Sequence, residues 1–165
     1  MKIITISREF GSGGREIGIE LSKKLGIPFY DKEILAEAAK KSGYSQEIFE
    51  KHDEKPTSSF LYSLAVGVNS FAGAYQRPLT LEIYLAQFDA IKKLAAEGSG
   101  IFIGRCSDYV LNDVQDALHV FVRSDMNSKI ERVMERYNVE ADIAEEMCKR
   151  HDKDRQLYYN YYAIN

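Results

Sequence analysis

Three glycines fall within four residues, Gly11-Ser12-Gly13-Gly14, shortly after the β-branched run Lys2 to Ser7 (KIITIS). Beyond them Ile17, Leu21 and Leu25 recur at helical spacing, and Gly26 closes the pattern. This is a strand that turns through a glycine loop into a helix. Such a loop lets successive backbone N–H groups curl around an anion, and the helix N-terminus adds partial positive charge. The loop therefore reads as a phosphate cradle. A plain βα turn seldom needs so many glycines.

The chain has 165 residues, 22 Lys+Arg against 25 Asp+Glu, and a formal charge of −3. That length suits one α/β domain over 1–165. A mildly acidic balance with scattered basic residues argues against a nucleic-acid partner. Cys106 and Cys148 form no CxxC pair and read as small buried residues, and His52, His119 and His151 lack metal-ligand spacing. The N-terminus meets charge too early for a signal peptide. The uncharged run Phe60 to Gln76 carries Gly67, Asn69, Gly73 and several serines, too polar for a membrane span. The expectation is a cytoplasmic protein without a membrane partner, its oligomeric state open.

Further strands are predicted over 27–30, 100–104 and 117–122. Helices are predicted from Lys32 to Lys41, from Ser45 for a short stretch, from Leu81 to Glu97 behind a Thr80 cap, from Ser107 to Leu111, from Asp125 to Tyr137, and from Glu140 to Tyr161. Ile83, Leu85, Phe88, Ile91 and Leu94 supply the apolar face of the helix from Leu81 to Glu97. The segment 60–75 reads as a broken, mobile helix. The alternation of strands and helices predicts a parallel sheet with helices on both faces, interrupted by a helical insertion over 42–79.

Two phosphate motifs can be laid on the loop. The pattern G-x-x-x-x-G-K-[ST] keeps only Gly14, with Glu9, Arg15 and Glu16 at its other defined positions. Arg15 preserves the charge with a planar guanidinium. Glu16 is either a metal ligand or an acid complementing the helix dipole. The pattern G-x-G-x-x-G matches at Gly11 and Gly13, with Asp31 as its distant acid, but places Glu16 where a small residue belongs.

Beyond the loop, the segments ISREFGSGGREIG, IPFYDKEIL, IFIGRCSDYVL, ALHVFVRSDMNSKIERVMERY and KRHDKDRQLYYNYY resemble, in that order, the cytidylate kinase-like family. The resemblance spans nearly the whole chain. It implies a three-layer P-loop kinase-like fold and phosphoryl transfer from ATP with Mg²⁺, with 140–162 as the lid region. Gly11, Ser12, Gly13, Gly14 and Arg15 would then hold the ATP phosphates. Asp31, Gln87, Arg105 and Asp108 would form the acceptor site, and Arg150 and Arg155 would belong to the lid. Cys106 replaces the aspartate of the family's GRD motif. The Mg²⁺ ligand is unassigned between Ser12 and Glu16.

A monophosphate acceptor is already an anionic oxygen, so no catalytic base is needed. The resemblance implies CMP or dCMP as acceptor. The competing readings are a nucleotide-binding or regulatory module on the same fold, and a dinucleotide-binding domain. The family's core has five parallel strands, whereas four are legible here. The expectation is that the fifth is absent because the sequence is shortened at its C-terminus, since an exposed parallel edge is a liability.

Overall fold

Four consecutive buried residues, Ile3, Ile4, Thr5 and Ile6, build the centre of the sheet. The computed structural model describes residues 1–54 and 79–163. Strand β1 (Ile3–Arg8) pairs in parallel with β3 (Gly100–Ile103) on one side and β4 (Leu118–Val122) on the other. The short β2 (Phe29–Tyr30) adds to β3, also in parallel, so the strand order is β2-β3-β1-β4. The predicted segment 60–75, and most of the insertion over 42–79, lie outside the described residues.

Alternation along the strands sends side chains to two helical layers. Ile3 and Phe102 face a core made with Ile34, Leu35, Phe49, Ile83 and Ile91. These come from α2 (Lys32–Ser42), α3 (Gln46–His52) and α4 (Leu79–Glu97). Ile4, Ile6, Ile101 and Ile103 face the other way, towards Leu21 of α1 (Gly14–Leu25) and towards Phe29. Each fully buried side chain of this size contributes about 1.5–3 kcal/mol. The remaining helices are α5 (Ser107–Val110), α6 (Met126–Tyr137) and α7 (Ala141–Ala163). The molecule is thus an α/β protein with a parallel sheet between helices. β4 is one of the two edge strands of the described sheet, and it leaves Leu118 56% and Phe121 61% exposed.

Two helix faces differ from the pattern of apolar residues. In α1, Ile17 and Leu25 are exposed, whereas Gly14 and Gly18 are buried. A Cβ on Gly18 would lie 2.7 Å from the Phe29 ring and 3.0 Å from Ile103 Cδ1, so the absence of a side chain lets the helix sit on the sheet. In α4, Leu85 is exposed, and Tyr84 and Gln87 are buried in its stead. Exposed Gly→Ala changes in helices gain about 1 kcal/mol. Gly18→Ala is expected to reverse that sign and cost about 1–3 kcal/mol through overpacking. Urea unfolding measures it, and a stabilised variant would refute the close approach.

Candidate active site

The chain leaves β1 at Arg8 and makes the glycine loop with Gly11 at φ 74° and Gly13 at φ 83°, left-handed values that favour glycine. Gly14 then opens α1 in contact with the Arg8 side chain, where a Cβ would lie 2.7 Å from Arg8 Cβ. Ser12 is buried and spends its hydroxyl on the Glu9 carbonyl at 2.8 Å. The loop is strapped from below. Buried Lys129 of α6 pairs with Glu9 and Asp152, and Asp152 accepts from the Phe10 N–H at 2.6 Å.

A cavity of about 450 Å³ lies over this loop, lined by Gly11, Gly13, Gly14 and Arg15 together with Arg132 and Arg136 of α6. Arg132 Nη1 donates to the Gly11 carbonyl at 3.1 Å, and Arg136 pairs with Glu16. Neither arginine belongs to a motif that marks it in the sequence. Their i,i+4 spacing on an amphipathic helix is the sequence signal that places them on one face. Arg15 leans sideways and donates to Asp31 Oδ2 at 2.7 Å.

A second cavity, of about 520 Å³, opens at the carboxyl ends of β1 and β3, where ligands enter open α/β sheets. Gly104, Arg105 and Cys106 all take positive φ (64°, 54° and 54°), and the two non-glycine residues there carry backbone strain. The turn drives the Arg105 guanidinium inward. It donates to both Asp53 oxygens at 2.9 and 2.7 Å, to Asp31 Oδ1 at 3.0 Å and to the Ile103 carbonyl at 3.0 Å, and the residue is only 3% exposed. Asp31 sits at the N-terminus of α2 without capping it and accepts from Arg15 and Arg105 instead. Burial raises its carboxyl, yet the Arg105 charge and the two arginine hydrogen bonds prevail and hold it below the usual carboxylate range.

Glu54 is the second acid from the polar stretch that reads as a loop in the sequence. Its Oε1 accepts from Arg8 Nη1 at 2.5 Å and from the Arg105 backbone N–H at 3.0 Å, and its Oε2 accepts from Arg155 Nε at 3.1 Å. Burial opposes its charge, but Arg8, Arg155 and Arg105 together hold it ionised far below the usual range. Burial pushes the Cys106 thiol well up, so it is no nucleophile at neutral pH.

The back wall of this cavity is aromatic. Tyr159 OH donates to Asp108 Oδ2 at 2.8 Å, and Tyr158 OH donates to the buried Gln87 Oε1 at 3.1 Å. Gln87 Nε2, Ser107 Oγ and Asp108 Oδ1 are buried without a hydrogen-bond partner among the described residues.

Arg8, Glu9 and Arg155 line both cavities and form the junction between them. Arg150 is exposed and lines neither. Among the described residues no group of three His, Cys, Asp or Glu could cage a metal ion, and no helix is long and apolar enough to cross a membrane. A Mg²⁺ carried in on nucleotide phosphates needs only one or two protein carboxylates. Ser12 gives its hydroxyl to the Glu9 carbonyl, whereas Glu16 lines the loop cavity and pairs there with Arg136.

A model of the cytidylate kinase-like family matches residues 3–164. No curated relative matches the chain. Among solved structures, an uncharacterized protein from Eubacterium ventriosum is 29% identical with a TM-score of 0.71, covering 100% of this chain and 80% of that one. Two structures of deoxyadenosine kinase from M. mycoides also match. The one with products dCMP and dCDP bound is 17% identical with a TM-score of 0.44, covering 98% of this chain and 86% of that one. The one with dATP bound is 16% identical with a TM-score of 0.43, covering 97% and 84%.

Proposed function

The chain belongs to the cytidylate kinase-like family, and on that premise we propose that it transfers the γ-phosphoryl group of ATP to a pyrimidine nucleoside monophosphate, CMP or dCMP. The observation that carries this reading is the junction. A glycine-loop cavity and a sheet-end cavity share Arg8 and Arg155, so a donor in one and an acceptor in the other would meet between two guanidiniums. Phosphoryl transfer demands positioning and charge neutralisation more than covalent chemistry from the protein.

In this reading the N–H groups of Gly11 to Gly14 hold the ATP phosphates, with Arg15, Arg132 and Arg136 around them. Arg155 neutralises the transferred group. Arg105 supports the acceptor site through its buried pairs and presents its backbone N–H. Asp31, Gln87 and Asp108 shape the acceptor side. Mg²⁺ arrives with ATP and supplies further charge neutralisation.

One observation favours a second reading, that of a non-catalytic nucleotide-binding module. Arg15, standing where a P-loop lysine belongs, is engaged by Asp31. ADP release from Mg-ATP against a panel of nucleoside monophosphates separates the two. Turnover with one pyrimidine monophosphate is the expected result. ATP binding with no ADP release for any of them would overturn the kinase reading in favour of the module.

A further inference from the structure

Glu54 is held the way a ligand anion is held. Its two oxygens collect one hydrogen bond from each of two arginines and one from a main-chain N–H, at the floor of a cavity. Charge-assisted donors converging on one carboxylate form an anion site. The fold is shaped around it at a cost. Glu54 itself takes φ 49°, Arg105 and Cys106 are left-handed, and a Cβ on Gly104 would collide with both Glu54 Oε1 and Arg8 Nη1. A merely structural ion pair explains none of this, because buried pairs add little stability over apolar packing.

We propose that Arg8, Arg155 and the Arg105 backbone N–H form a phosphate subsite, and that the Glu54 carboxylate occupies it until the acceptor's phosphate monoester displaces it. Glu54 is therefore an internal competitor that weakens binding of the acceptor. The assignment to the acceptor rests on reading the sheet-end cavity as the acceptor side. The presence of an anion subsite there does not.

The test is calorimetric binding of inorganic phosphate, CMP and ATP to the full chain and to Glu54→Gln, without turnover. A competitor that fills the subsite in nine molecules of ten lowers apparent affinity about tenfold. Glu54→Gln is thus expected to tighten phosphate and CMP by about that factor or more, and ATP by less. Adding Arg8→Gln should abolish the gain. Glu54→Asp draws the charge back by one methylene, keeps the ion pairs within reach, and should tighten phosphate in the same direction if Glu54→Gln fails to fold.

Unchanged or weaker phosphate binding in the folded variant would overturn the proposal. Tightening confined to ATP would overturn the acceptor assignment. A protein that never releases ADP, yet binds phosphate more tightly once Glu54 is replaced, would retire the kinase reading and leave the subsite standing.

Discussion

Arg105→Ala is expected to lose about 3–5 kcal/mol of folding stability, the usual cost of removing one partner from a buried ion pair. The guanidinium is the shared partner of Asp31 and Asp53 and lies almost wholly out of solvent. Without it, Asp53 loses a bidentate partner. Burial already raises the Asp53 carboxyl, Arg105 opposes that rise, and the Glu54 charge adds to it. Asp31 would keep Arg15 alone, a half-exposed arginine.

The pH dependence carries the same signature. Asp31 has a folded pKa below its ordinary value, so its contribution is present above the unfolded value, about 3.9, and fades as pH falls through the folded one. The deficit of Arg105→Ala should therefore be largest near neutral pH and shrink in acid. Urea unfolding at several pH values measures this. A variant within about 1 kcal/mol of the parent at neutral pH would show that Arg105 does not neutralise these acids. Arg105→Lys keeps charge without the bidentate geometry and should fall between the two. Activity lost in Arg105→Ala would then report collapse of the site's support.

The sequence makes the scaffold legible wherever the signal is local. The run from Lys2 to Ser7, the glycine loop, the strands before Arg105 and Arg123, and the two C-terminal helices stand close to their predicted places because each is announced by period and punctuation. Two kinds of feature escape that logic. The buried face of α1 is made by Gly14 and Gly18, and an apolar count cannot see a face whose virtue is having no side chain. The partners of the arginines come from far along the chain. Arg8 meets Glu54, Arg105 meets Asp53, and Arg155 meets Glu54 across 46, 52 and 101 residues respectively. No local pattern in a polar stretch marks two of its acids as the contents of an arginine pocket. Arg150 and Arg155 look alike in sequence, and only the phase of α7 separates them.

That separation gives the sharpest test of catalysis. Arg155→Gln is expected to lower kcat about 10³-fold, the lower end of what loss of a transition-state arginine costs. Arg150→Gln should stay within about twofold, as exposed positions away from special features do. Arg155 borders both cavities, packs over the Phe10 ring at 5.7 Å and is tied to Glu54 and the Arg8 carbonyl. Burial lowers its pKa against the pull of Glu54, yet a guanidinium remains charged at any working pH. A charge held in so enclosed a place is worth far more to a transferring phosphoryl group than one in water.

Glutamine keeps an N–H for Glu54 and limits structural damage, and unfolding curves for both variants control for the rest. Loss of an interaction made only in the transition state lowers kcat and kcat/KM together. A rise in KM with kcat unchanged would instead make Arg155 a ground-state anchor. A larger loss from Arg150→Gln than from Arg155→Gln would place the reacting phosphoryl group away from the junction of the two cavities, and with it the geometry on which the kinase reading stands.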